Sequence, residues 1–145
     1  MASTKITYGA ATTFTMSATT IAAGSATDIF QGTFDSTTDG FLGLMVELAF
    51  TTATVGTGNR QVSLWAASSV DGTNFSNTSL TTNARLLGVV SATENTTAYR
   101  SPAFPVESAF GGFLPPKVKF LIQNDTSATI SSISFQIRGV YAVTV

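Results

Sequence analysis

Any chemistry in this chain would have to rest on its carboxylates. It carries eight Asp and Glu residues and neither Cys nor His. Without those two side chains there is no thiolate nucleophile, no imidazole base, no Ser-His-Asp triad and almost no zinc site. A pair of carboxylates could in principle hydrolyse a glycoside. However, Asp28, Asp35, Asp39, Asp71 and Asp125 all fall in or beside turn stretches, where Asp bonds its own backbone. Asp71 with Asn74 and Asn77 lacks the ligand density of a calcium loop. Gly56-Thr-Gly lacks the Lys-Ser/Thr and the helix of a phosphate loop. Glu47, alone in an apolar run, is expected to pair with an Arg or to sit at the edge of burial, with a catalytic carboxylate the minor reading. Lys117, Lys119 and Arg138 are expected to lie on a solvated face; the alternatives are a small basic patch on neighbouring strands or salt bridges to an acidic partner surface. The residues thus predict no enzyme: no catalytic residue, no metal site and no cofactor.

Composition points the same way. Only 10% of the 145 residues are charged, with a net charge of −1, while 43% are hydrophobic. That is one domain's worth of chain with material for one core. Seven scattered basic residues predict no nucleic-acid partner. No apolar run reaches the roughly 18 residues of a membrane-spanning helix, and no membrane partner is expected. Residues 1–8 lack the apolar core of a signal peptide, which predicts a protein made in the cytoplasm. The Asn-x-Ser/Thr triplets at Asn74, Asn77, Asn95 and Asn124 then reflect Ser/Thr richness, not glycosylation. A surface so poor in charge implies cover by neighbours.

The elements that would position these groups are strands. In Lys117–Asn124, Val118, Phe120 and Ile122 alternate with Lys117, Lys119 and Gln123. Beyond a polar turn, Ile133, Phe135, Ile137, Tyr141, Val143 and Val145 continue the period of two, opposite Ser134, Gln136 and Arg138. The stretch 41–51 alternates Leu42, Leu44, Val46, Leu48 and Phe50 with a second row too apolar for a solvent face, which suits a strand covered on both sides. Further strands are expected at 27–34, 61–68 and 85–93, with turns at Thr38-Asp-Gly, Val55-Gly-Thr-Gly, Asp71-Gly and Glu94-Asn-Thr-Thr, the last leading into Ala98-Tyr-Arg-Ser. The segment 102–116 reads as a connection whose Val106 to Phe110 could make one helical turn, and its three Phe residues require cover. Many short strands, frequent turns and no helical period predict an all-β antiparallel two-sheet sandwich, with a jelly roll favoured. Residues 1–25 read as a low-complexity arm packed on a neighbouring subunit or paired as an edge strand, and 26–145 as the sandwich domain.

Aromatic side chains are the candidate anchors: Tyr8, Phe14, Trp65, Phe104, Phe110 and Phe113. Trp65 falls on the more polar row of its strand. It could be covered by a loop, anchor a protein interface, or serve as a stacking platform for a sugar.

The run from Val62 to Asp125 carries Ser63-Leu-Trp-Ala-Ala-Ser-Ser-Val-Asp-Gly-Thr-Asn-Phe, Arg85-Leu-Leu-Gly, Tyr99-Arg-Ser-Pro, Ala109-Phe-Gly-Gly-Phe-Leu-Pro-Pro-Lys and Ile122-Gln-Asn-Asp-Thr. It resembles small structural proteins of tailed bacteriophages, similar to capsid cement or decoration proteins. The resemblance implies a virion protein on the capsid exterior, assembled in the host cytoplasm, with the major capsid protein and copies of itself, as a homotrimer, for partners. The alternatives are a receptor- or carbohydrate-binding module at a fibre tip, or a tail or head-to-tail component.

Overall fold

The computed structural model describes residues 3–15, 20–28, 34–35, 40–53, 58–71, 73–75, 84–93 and 97–144. Their strands are β1 (Thr4–Tyr8), β2 (Thr12–Thr15), β3 (Thr20–Ile21), β4 (Ser25–Asp28), β5 (Phe34–Asp35), β6 (Gly43–Thr52), β7 (Gln61–Ser69), β8 (Arg85–Ser91), β9 (Ala98–Arg100), β10 (Phe104–Pro105), β11 (Lys117–Asn124) and β12 (Ile130–Thr144). A 3₁₀ turn, Glu107–Phe110, stands where one helical turn is expected. The turns at 38–40, 55–58, 71–72 and 94–97 lie wholly or partly outside the described residues.

Several short strands share one lane. β1, β2 and β3 pair in succession along one edge of β12, whose other edge takes β6; β9 and β10 pair in succession along the far edge of β6. The second sheet has β4 and β5 along one edge of β11, then β7, then β8. Every pairing is antiparallel. The lanes nest: first with last (β1–β3 with β12), second with seventh (β4 and β5 with β11), third with sixth (β6 with β9 and β10), and β7 with β8. A long antiparallel hairpin rolled so that its successive pairs fall in two facing sheets is a jelly roll.

Alternation decides what lies between the sheets. Leu44, Val46, Leu48 and Phe50 of β6 meet Val62, Leu64 and Ala66 of β7, Val118, Phe120 and Ile122 of β11, and Ile133, Phe135 and Ile137 of β12, all buried. The Phe120 and Phe135 rings are 5.8 Å apart across the gap. Ile130 joins this core although it is out of phase with Ile133. The register on β6 shifts between Ser131 and Ser134, and Ser132 takes a left-handed φ of 50°. This bulge turns both Ile side chains inward.

The structure refines two expectations. The polar turn after β11 is a crossover: β11 and β12 belong to opposite sheets, and residues 125–129 run between them. Lys117 and Lys119 therefore lie on one sheet and Arg138 on the other, so they form no common patch. The arm, in its described residues, takes the edge-strand placement: β1, β2 and β3 hydrogen-bond to β12 of the same chain. Thr and Ser side chains suit an extended edge exposed to water.

Candidate interaction surface

The four carboxylates whose side chains are described, Glu47, Asp71, Glu107 and Asp125, are engaged in building the fold. Glu47, on the outer face of β6, lies 3.4 Å from the Arg100 guanidinium, as expected for a carboxylate in an apolar run. Glu107 Oε2 accepts from Leu44 N at 3.1 Å, while Val106 N donates to Leu44 O, which ties the 3₁₀ turn to the start of β6. Asp125 accepts from Gln123 Nε2 at 2.8 Å. Asp71 accepts from the backbone N–H groups of Asn74 and Thr73 and from the side chains of Asn74 and Ser69. These donors favour the charged form and hold its carboxyl well below the usual carboxylate range. Among the described residues no three His, Cys, Asp or Glu side chains converge as metal ligands would.

The outer face of the first sheet holds a shallow cavity of about 360 Å³, lined by Tyr8, Ala11, Met45, Glu47, Ala103, Gln136, Ile137 and Arg138. It lies beside the break between β1 and β2. Arg100 bridges Glu47 and Gln136 along its side, at 3.4 and 3.5 Å.

The six candidate anchors separate. Phe104 and Phe110 pack against the core of their own chain, which supplies the cover that their connection requires. The fit at Phe104 is close: a Cβ built on Gly88 would lie 2.2 Å from its ring. Trp65 is half-buried on the outer face of the second sheet, in register with Leu121 and Leu86, and its Nε1 is buried without a hydrogen-bond partner. Phe14 pairs through its backbone with Phe135 in β2; its side chain is outside what is described. Tyr8 and Phe113 remain, 62% and 80% exposed.

Those two share one end of the sandwich. The register places the starts of β6, β8 and β11 and the last residues of β7 and β12 there. Glu107 and Val106 fix the segment that leads to Phe113 against the start of β6. Val70, 85% exposed, follows β7 at this end, Leu42 precedes β6, and Ile6 and Val143 lie on opposite faces of the β1–β12 ribbon. Among the described residues, every exposed large apolar side chain except Leu86 and Val89 of β8 belongs to this end. Gly111 and Gly112, at φ of 75° and 92°, make the bend that leaves Phe113 projecting.

The opposite end is polar and internally bonded. Asn124 is fully buried there. Its Nδ2 donates to the carbonyls of Ile21, Ala22 and Ala128, at 3.1, 3.1 and 2.8 Å. Its Oδ1 accepts from Thr126 N at 3.0 Å and Thr126 Oγ1 at 2.7 Å. One side chain thus joins the arm, the end of β11 and the crossover. Arg60, Thr93, Ser127 and Thr129 are among the residues exposed or half-exposed around it.

Of the exposed apolar residues at this end, the sequence singles out Tyr8 and Phe113 but not Leu42, Val70, Ile6 and Val143. Leu42 continues the inward row of β6 in sequence, but that row begins only where the ladder begins.

No protein-family model matches this chain, and no curated protein matches it. Among solved structures, a chain in the structure of infectious bursal disease virus Gx strain aligns with 99% of this chain at 15% identity and a TM-score of 0.36. This chain spans 32% of that one.

Proposed function

We propose that this chain is a non-enzymatic virion structural protein, a capsid cement or decoration protein that seats its apolar end on major capsid subunits. The observation that carries the reading is the gathering of Phe113, Val70, Leu42 and the β1–β12 side chains at one end of the sandwich, against a polar opposite end. A soluble domain seldom leaves contiguous apolar surface without a partner. The low charge of the chain and the resemblance of residues 62–125 to phage decoration proteins support the same reading. Burying an exposed Phe is worth roughly 1.5–3 kcal/mol, so each copy can bind weakly while many copies on one shell bind together. The exposed position of the arm leaves it available to extend the contact.

The test is incorporation into particles. Phe113→Asp with Val70→Asp should fold as the parent does, by circular dichroism and melting temperature, yet be lost from purified virions in quantitative mass spectrometry. Undiminished incorporation of the double variant, or absence of the parent chain from virions, would contradict the reading.

A further inference from the structure

β12 outruns its neighbour. Its ladder with β6 ends at Val140↔Gly43, whereas its ladder with β1 continues to Thr144↔Thr4. From Tyr141 to Thr144 the sheet is therefore, among the described residues, a ribbon of two strands. In an antiparallel ladder, alternate residues turn their N–H and C=O groups to opposite sides. Gly9 N donates to Gly139 O, so residues 139, 141 and 143 address β1. Val140 O faces the other way, where Leu42 N takes it. Ala142 and Thr144 follow on that side, and no main-chain partner meets them there among the described residues.

Both side-chain rows of the ribbon are open, with Ile6 and Ala142 exposed on one and Val143 on the other. A ribbon of two strands is marginal in water unless a further strand or layer completes it. Edges that stay exposed are commonly guarded by Lys, Pro or a bulge. β8, at the edge of the second sheet, has Arg85 and a register shift. Gly139–Thr144 has no charge, no proline and no bulge.

We propose that this edge is completed by the same segment of a second copy, laid antiparallel across a two-fold axis. Pairing through the outward groups of Ala142 and Thr144 sets Ala142 opposite the second copy's Thr144 and brings the two Val143 residues together at the axis. Charge favours this occupant. The segment is neutral and lies against itself with no like charges opposed, and Lys5 sits on the outer strand, one strand removed from the seam. Self-pairing of a single edge closes with two copies, so it gives a dimer and not the homotrimer that the resemblance implies. The inference goes beyond shell binding and stands without it.

The absence of cysteine makes the experiment simple. Directly opposed residues of a non-hydrogen-bonded pair have Cα atoms about 4.5 Å apart, within disulfide reach. Val143→Cys should convert mostly to a covalent dimer under mild oxidation, at concentrations where Phe113→Cys, at the same end and the more exposed of the two, converts several-fold less. Ala142→Pro removes an N–H aimed only at the second copy. By light scattering it should halve the mass of the parent while leaving the far-ultraviolet circular dichroism unchanged. A monomeric or trimeric parent, or Val143→Cys cross-linking no faster than Phe113→Cys, would overturn the proposal.

Discussion

Asn124 is the most consequential polar residue in this fold, and replacing it gives a prediction whose size can be worked out. Its side chain serves carbonyls of Ile21, Ala22 and Ala128 and accepts from Thr126. In Asn124→Ala some of these groups find substitutes. Ala128 O keeps the Thr126 hydroxyl as a donor, 2.8 Å away, and Ala22 is exposed enough to be met by water. Thr126 N–H and Ile21 O do not recover, because both residues are buried. Two orphaned buried groups cost about 1–3 kcal/mol each, so the variant should lose roughly 2–6 kcal/mol. At about 3 °C per kcal/mol for a domain of this size, that is a fall of about 6–18 °C in melting temperature, measurable by calorimetry. Asn124→Asp sharpens the test. It replaces the Nδ2 donor with an oxygen facing three carbonyls, which raises the folded-state pKa of the new carboxyl above its unfolded value. The unfolded state then binds fewer protons, so stability falls as pH rises through the interval between the two values. Asn124→Asp should approach the parent near pH 3 and diverge from it above about pH 5. A loss below about 0.5 kcal/mol in Asn124→Ala, or a pH-independent Asn124→Asp, would refute the claim that this side chain holds the crossover.

Gly139→Ala should destabilise by about 1–3 kcal/mol through overpacking, since its Cβ would lie 2.0 Å from the Phe41 ring, which itself packs edge-on to Tyr141 at 4.7 Å; denaturant unfolding reads the change. Asp71 is held ionised by its turn, so the stability it contributes is present above its unfolded pKa and fades as pH falls towards the depressed folded value. Asp71→Asn should therefore flatten the acid limb of the stability–pH profile between about pH 4 and pH 2, relative to the parent.

What could be read from the sequence follows from the range of the signals. β11 spans Lys117–Asn124 as its alternation requires, and β6 and β7 agree within a residue or two, because a face is written in every second residue. The Val106–Phe110 turn was likewise legible. The polar segment 125–129 reads as a turn between strands, and nothing in its residue types shows that those strands lie in different sheets. Asn124 announces the crossover only once its partners, more than 100 residues away in sequence, are known. Thr/Ser-rich residues 4–21 are legible as extended but not as partners of β12, because edge pairing uses main-chain groups that every residue carries. Of the anchors, exposure was the unreadable quantity: Phe104, Phe110 and Phe113 share one connection, and only the bend at Gly111-Gly112 separates the two that pack inward from the one that projects.

The most direct test of the assembly reading is to compare substitutions at the two ends of the sandwich in the same virions. Phe113→Asp and Thr93→Asp both place a carboxylate at an exposed site, the first on the apolar end and the second on the polar end. The account predicts that Thr93→Asp is incorporated at the parental copy number and that Phe113→Asp is reduced at least tenfold. Equal incorporation of the two variants would contradict it.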